Sequence, residues 1–577
     1  MKKLRSVFQN KTKVRKILWS LLTGGLFGLI SFYLFLPPIN PRAAGFWVWV
    51  FFLILAFSLP FLKGTLRLVW QDSARSRNRQ RAASGFSMNG GFLLSGVRSV
   101  MVPLIALAVP VAVLILGSIF SSPLFHARAY AAIISVNEAD FAADMPETNE
   151  ITNIALMDSE SATIIGNRKL GELSDVVSQY VVAPHYVQIN YRDTPKKVAP
   201  LEYDGFFKWL QNRSAGVPGM VMVDPVKSSA SYMKFSSSMK YVESAYFGEK
   251  LERKLRFSYP TKIFGSVSFE ADDEGNPHYI VACLAPRVFL FGGYDVSEVI
   301  VFDPESGESE LYPVEQTPSW IDIVYTGQLA CKKYDWYGEL QGGFINSLIG
   351  QRGCKRTTSD FGYIVRDDDV WYFTGVTSVT SDESNIGFIL SNARTGAYQY
   401  YPVNGAEEYS AMSAAEGEVQ EKGYRASFPS LINYAGQPTY IMVLKDSAGL
   451  VKLYALVNVE NYSIVATGDD QPTVMNQYKK LLLKSGKTAA AEETVQTATV
   501  TVSRITQATV GGSTVFYFHA DDGNAYKGFL ETDESLVLIT EGDRMRFTYS
   551  ATDVEGIRLI VFHAPDVGVE GPIIDLP

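Results

Sequence analysis

Cysteine is scarce in this chain. Three residues in 577, Cys283, Cys331 and Cys354, are too few, and odd in number, for a domain built on disulfides. Cys331 and Cys354 are the candidate pair, with Cys283 in an apolar stretch left as a buried thiol. Histidine is nearly as rare. His126, His185, His278, His519 and His563 are scattered, and none stands at metal-ligand spacing from another histidine or a cysteine. There is no Gly-x-Ser-x-Gly, no phosphate loop and no His-Glu-x-x-His. No catalytic, cofactor-binding or metal-binding residue is therefore nominated. Acids are missing from one end: residues 1–125 hold 15 Lys and Arg but only Asp72 on the other side. That end carries about +14 and the remainder −22, which together give the chain's −8. The net-acidic remainder speaks against nucleic acid as a partner, since phosphate binding needs a basic footprint.

Long apolar runs are confined to the basic end. They cover 17–36, 46–62 and 101–120, each long enough to cross or nearly cross about 30 Å of hydrocarbon as a helix. The first two are joined by a short link with Pro37, Pro38 and Pro41, which suits a helical hairpin. Residues 1–125 are expected to form a membrane domain of three transmembrane helices. Lysine and arginine crowd the N-terminal stretch and the loop between the second and third runs, where Arg75, Arg77, Arg79 and Arg81 cluster. The positive-inside rule places both in the cytoplasm and everything after about residue 125 outside. The arginine loop reads as a topology determinant, with anionic lipid or an acidic partner as the alternative. A cleaved signal peptide is the alternative reading of the first run.

Beyond the membrane domain the chain reads as α+β, and it repeats a phrase. Val299–Gly307 (VIVFDPESG) runs on to Tyr312-Pro313-Val314, and Gly387–Gly396 (GFILSNARTG) runs on to Tyr401-Pro402-Val403. The spacing between copies is 89 residues, the mark of a supersecondary unit copied along the chain. Helical stretches are expected at 170–181, 232–255, 320–337 and 407–420, with Glu407, Glu408, Glu416, Glu418 and Glu421 on an exposed face. Strands follow, entered through Gly-x-Pro turns at Gly275-Asn276-Pro277 and Gly436-Gln437-Pro438 and left through turns of the Asp303–Gly307 kind. The acidic triplets Asp367-Asp368-Asp369 and Asp272-Asp273-Glu274 read as solvated turns, with calcium as the alternative.

Phrases of the form Pro-x-Tyr-apolar, followed by an Asp-x-x-x-Gly-Glu turn, resemble PepSY-like repeats. That resemblance implies a helix packed on a short antiparallel sheet, in modules associated with protein binding or peptidase restraint. Four degenerate copies cover 126–231 (with an insert), 232–314, 315–403 and 404–470. The arrangement also resembles a family of membrane-anchored proteins of Gram-positive bacteria, a similarity that implies no activity. Residues 471–490 read as a linker that is partly helical, at Tyr478–Leu483. Residues 491–566, with strands at 495–505, 512–520, 526–530, 536–540, 544–549 and 557–563, resemble a small OB-like β-barrel, and 567–577 form a tail.

The reading is a non-enzymatic, membrane-anchored cell-envelope protein whose extracytoplasmic repeats bind a protein partner in the membrane or envelope, with no cofactor. The first alternative is a ligand sensor, with Trp320, Trp336 and Trp371 lining a pocket between repeats. The second is a hydrolase whose site is assembled from distant residues.

Overall fold

The computed structural model describes residues 2–60, 90–148, 156–157, 159–366, 368–379, 381–485, 495–510, 513–530, 534–554, 557–562 and 573–574. It divides into two units. The first comprises Met1–Glu138, Met157–Asp382 and Phe388–Tyr400, and the second Ala139–Leu156, Glu383–Gly387 and Tyr401–Pro577.

The first unit opens with α1 (Lys2–Phe35), α2 (Ala44–Pro60) and α3 (Gly90–Phe120). Within α1 and α3, Ile17–Phe35 and Met101–Phe120 are long and apolar enough to cross a membrane; α2 is a shorter apolar helix. α1 and α2 form a hairpin sealed by small residues. A Cβ on Gly24 would collide with the Phe57 ring, so glycine there lets the helices approach. Ser20 Oγ donates to the Phe57 carbonyl (2.5 Å) and Trp49 Nε1 to Ser31 Oγ (2.9 Å). The arginine cluster Arg75–Arg81 lies outside the described residues.

Three sheets complete this unit. In the first, Tyr180–Val182 and Val187–Tyr191 both pair with Thr194–Tyr203, followed by Val217–Asp224 and Ser229–Met239. The second is an antiparallel meander of Ile263–Ala271, Pro277–Val288, Gly292–Phe302 and Ser309–Pro313. The third runs Val136–Glu138, Tyr398–Tyr401, Ser381–Asn392, Asp369–Ser378 and Lys355–Thr357. Its edge strand Val136–Glu138 is parallel to its neighbour. In the second unit, Ser430–Tyr434, Gln437–Lys445, Val451–Asn458 and Val465–Gly468 form an antiparallel sheet.

The repeated phrase becomes a repeated turn. Asp303 Oδ1 accepts the N–H of Glu305 (2.7 Å), and Asn392 Oδ1 accepts those of Arg394 and Thr395 (2.9 and 2.8 Å). Gly307 and Gly396 then take left-handed φ values of +79° and +71°. Each glycine is roofed by a tyrosine, Tyr241 or Tyr325, whose ring a Cβ would strike. The same tyrosine and its predecessor donate their N–H groups to the second residue of the turn, Pro304 or Ala393. Asp224 and Asn458 cap the corresponding turns, accepting from Val226 and Lys227 and from Asn461. Helices precede the sheets at Ser159–Gly171, Leu251–Ser258, Gly327–Leu340 and Glu408–Gly417.

Several expectations are corrected. The helix expected over 232–255 is confined to Leu251–Ser258, because Ser229–Met239 is a strand; its serine run Ser236-Ser237-Ser238 has weak helix propensity. The helix expected from Trp320 starts at Gly327, where Thr326 accepts the N–H of Leu329 (3.2 Å). Glu408, expected on an exposed face, is buried. The helix expected at Tyr478–Leu483 within the linker is longer, Gln471–Lys484, and buries Val474, Tyr478 and Leu482 against the second unit's sheet.

The C-terminal strands Val495–Val510, Ser513–Ala520, Ala525–Phe529, Arg544–Val554 and Ile557–Phe562 close on themselves. Taken in chain order as one to five, they run one-two-three-five-four and back to one. The third and fifth are parallel, and the 3-10 turn Glu534–Leu538 replaces the strand expected at 536–540.

Candidate functional site

Charged residues inside apolar runs are the first unit's chemical peculiarity. Glu270 ends a strand whose neighbours Phe269 and Ala271 are buried, and it has no exposed surface. Its two oxygens accept the N–H groups of Asp322 (2.8 Å) and Ile323 (2.9 Å). Asp322 is itself buried between Ile321 and Ile323, and its Oδ2 accepts the N–H of Asn190 (2.7 Å). The Asn190 amide donates to Asp368. Next to it, Arg192 and Asp193 turn through φ of +51° and +57°. Arg192 N–H and Nε reach Asp273 Oδ1 (3.1 Å) and its carbonyl (2.8 Å). One polar knot therefore joins the ends of strands from all three sheets of this unit.

Burial pushes both carboxyl groups well above the usual carboxylate range. For Asp322 the charge of Glu270 adds to the effect. Two backbone N–H donors stabilise a charge on Glu270 and one stabilises a charge on Asp322, so the proton shared by the pair resides on Asp322. Carboxyl pairs with raised pKa values perform acid–base catalysis where a substrate can reach them. Here both oxygens of Glu270 are engaged by backbone and shut away from solvent, so the pair fastens loops. Two further buried charges are paired in the same unit. Lys333 Nζ bonds Asp295 (2.6 Å) and lies over the Tyr325 ring (4.5 Å). Asp369 is held by Arg394 (2.7 Å) and Asn392 (2.9 Å).

The second arrangement is a clasp on the helix ends. In the link after α1, Ile39 N–H donates to Pro260 (2.7 Å), Asn40 Nδ2 to Thr261 (2.9 Å) and Arg42 to Pro286 (2.5 Å). Tyr294 donates to the Arg42 carbonyl (3.1 Å), and Arg253 lies on the Tyr33 ring (4.1 Å). At the end of α3, Ser121 Oγ accepts the N–H groups of Leu290 (3.2 Å) and Phe291 (2.9 Å). Gly117 leaves room for the Phe291 ring. The second sheet, with the helix Leu251–Ser258 before it, thus grips both the α1–α2 link and the exit of α3.

The nominated tryptophans do not come together. Trp320 packs on His278 (4.8 Å), Trp336 on Tyr130 (5.0 Å), and Trp371 is buried near Arg366. Cys283, Cys331 and Cys354 are all free thiols, so the candidate Cys331–Cys354 pair is not bonded. His185 is exposed, whereas His278 is half-buried and 3.3 Å from Asp272. Asp367 lies outside the described residues; Asp368 and Asp369 are tied as above rather than merely solvated. Among the described residues no group of three or more His, Cys, Asp or Glu is placed to hold a metal. Sequence reading missed Glu270 and Asp322. The available signal was an acid flanked on both sides by apolar residues, Phe269 and Ala271 or Ile321 and Ile323.

No family model matches the chain, and no curated protein matches it. Among solved structures, a crystal structure of a candidate exo-beta-1,3-galactanase from Bifidobacterium bifidum s17 is similar at 8% identity, covering 51% of this chain and 72% of that chain. Its TM-score of 0.17 is too low for the likeness to bear on fold or activity.

Proposed function

We propose that this chain is an integral membrane protein of the cell envelope that presents a non-enzymatic α+β ectodomain as a binding surface for another protein. The observation that carries the reading is the clasp. One sheet holds the end of α1 and the end of α3, so both ends lie on the same side of a bilayer. If α1 and α3 each cross once in the same direction, the chain between them must return, and we assign that return to the shorter apolar helix α2 (Ala44–Pro60). This supports three crossings, with the basic N-terminus and the Arg75–Arg81 loop in the cytoplasm and the sheets outside. A folded domain hydrogen-bonded to its anchor is held at the membrane in a fixed pose, as a docking platform requires.

The finer reading of the ectodomain is four PepSY-like modules and an OB-like barrel. It is supported by the four capped turns and by the ring order one-two-three-five-four, which is that of a five-stranded Greek-key barrel. The sensor reading draws no support from Trp320, Trp336 and Trp371, which pack in separate places.

The test is a photo-reactive amino acid at exposed Tyr409 or Tyr462 in the full chain in living cells, followed by mass spectrometry of the adducts. Reproducible capture of one membrane or envelope protein, lost on competition with the unlabelled chain, is the expected result. Adducts only to the chain itself would overturn the binding-surface reading.

A further inference from the structure

Two exposed phenylalanines occupy backbone positions that suit glycine or asparagine. Phe247 has φ +55° and Phe289 φ +49°, left-handed values that cost a bulky residue about 1 kcal/mol or more. Neither uses its side chain to fill the core: they are 57% and 54% exposed. Strain held in place in order to point an aromatic ring at solvent calls for something that covers the ring.

Their surroundings indicate what that is. Phe289 sits at the tip of the hairpin that grips Ser121, and its ring lies 6.1 Å from Phe120, the last residue of α3. Phe247 adjoins Trp209 (5.7 Å), next to Phe206 and Phe207, the latter 76% exposed. The carbonyl of Phe247 accepts from Arg253 (2.5 Å), the same arginine that stacks on Tyr33 near the end of α1. Exposed Phe257 meets Phe32 and Tyr33 of α1 (5.5 and 6.4 Å). Phe257 therefore adjoins the end of α1, Phe247 is linked to it through Arg253, and Phe289 adjoins the end of α3; Lys250, Arg253 and Lys254 are interspersed with the first two in sequence. Aromatic rings with nearby cations prefer the headgroup region of a bilayer. Charge alone would not hold this ectodomain there: the chain beyond residue 125 is net −22, and an anionic leaflet repels it.

We propose that Phe207, Phe247, Phe257 and Phe289 form a lipid-contacting foot that seats the second sheet's helix-proximal end in the headgroup region of the leaflet where α1 and α3 emerge. The proposal rests on the membrane-anchored reading above, and its partner is the bilayer itself. The foot adds a second attachment to the clasp and fixes the tilt at which the ectodomain stands.

The experiment uses the full chain reconstituted in phosphatidylcholine–phosphatidylglycerol vesicles. A spin label is placed singly at Phe207→Cys, Phe257→Cys and Phe289→Cys, and collision with oxygen and with a water-soluble nickel complex is measured. The reference is Glu274→Cys, exposed in the turn at the opposite end of the strand Pro277–Val288. The foot labels should show nickel collision about threefold or more below the reference, with oxygen collision raised, as for side chains at the acyl boundary. Nickel collision equal to the reference at all three sites, in protein that resists alkaline extraction, would overturn the foot and leave the anchor standing. Protein released by alkaline extraction would overturn both. Because the three side chains are more than half exposed, their replacement leaves the core intact, and an unchanged melting temperature verifies this.

Discussion

A proton on Asp322 is a folding event. The unfolded chain loses it near the ordinary carboxyl value of about 4, whereas burial, reinforced by Glu270, pushes the folded value up to about 9. Between those limits the native state binds more protons than the unfolded state, so stability contributed by the protonated pair is full below about pH 4 and falls as pH rises through the window. Asp322→Asn imitates the protonated form and keeps an acceptor for Asn190. Its melting temperature should match the parent below about pH 4 and decline less as pH rises from there towards 9. An unaltered alkaline decline would show that the pair does not govern it. Asp322→Ala strands the Asn190 N–H and should cost about 2 kcal/mol at neutral pH, read from denaturant unfolding. The repeated turn gives a second residue-scale test. Gly396→Ala adds a Cβ at φ +71° against the Tyr325 ring, and strain plus collision should destabilise by about 2 kcal/mol or more. An exposed glycine of like φ without a roof, Gly523, should lose only about 1 kcal/mol.

At the scale of elements, the sequence was most legible where a local rule sufficed. The Asp-x-x-x-Gly phrase announced a capped turn, and the turn forms. Apolar runs announced helices of membrane-spanning length, and two are there, with a shorter third. Reading failed where partners distant in sequence decide. Tyr232 is a different failure: it pairs with Val221 across a short hairpin, and the local strand pattern was read as a helix. Glu270 and Asp322, 52 residues apart, looked like ordinary acids because only the folded loop brings two N–H groups to Glu270. The clasp was likewise invisible, since its partners Arg42 and Pro286 are 244 residues apart. It is testable as an element. Arg42→Ala removes the guanidinium–carbonyl bond, and loss of one such bond is worth about 1.5 kcal/mol. Amide exchange at Ile39 and Asn40 in detergent-solubilised protein should accelerate about tenfold, while strand amides at Val281 and Ile300, buried in the sheet, stay unchanged. Equal acceleration throughout would mean that Arg42 supports the whole sheet rather than the link.

For the whole molecule, charge and topology make one argument. The chain is +14 over its first 125 residues and −22 beyond them, and under the proposed anchoring the count of crossings decides which compartment each part meets. With three crossings Arg77 faces the cytoplasm and Tyr462 the outside. With two, α2 lying on the surface, Arg77 faces outside and Tyr462 returns to the cytoplasm. Labelling distinguishes them because the native thiols interfere little: Cys283 and Cys354 are buried and Cys331 is half-buried. In intact cells, an impermeant maleimide should label Tyr462→Cys, and should label Arg77→Cys only after permeabilisation. The reverse pattern would mean two crossings, and would require the second sheet to release either the α1–α2 link or Ser121, since two crossings put those ends on opposite faces. A two-crossing result would therefore also show amide exchange at Ile39 or at Leu290 and Phe291 as fast as in an unstructured loop, which ties the topology of the anchor to the hydrogen bonds that hold it.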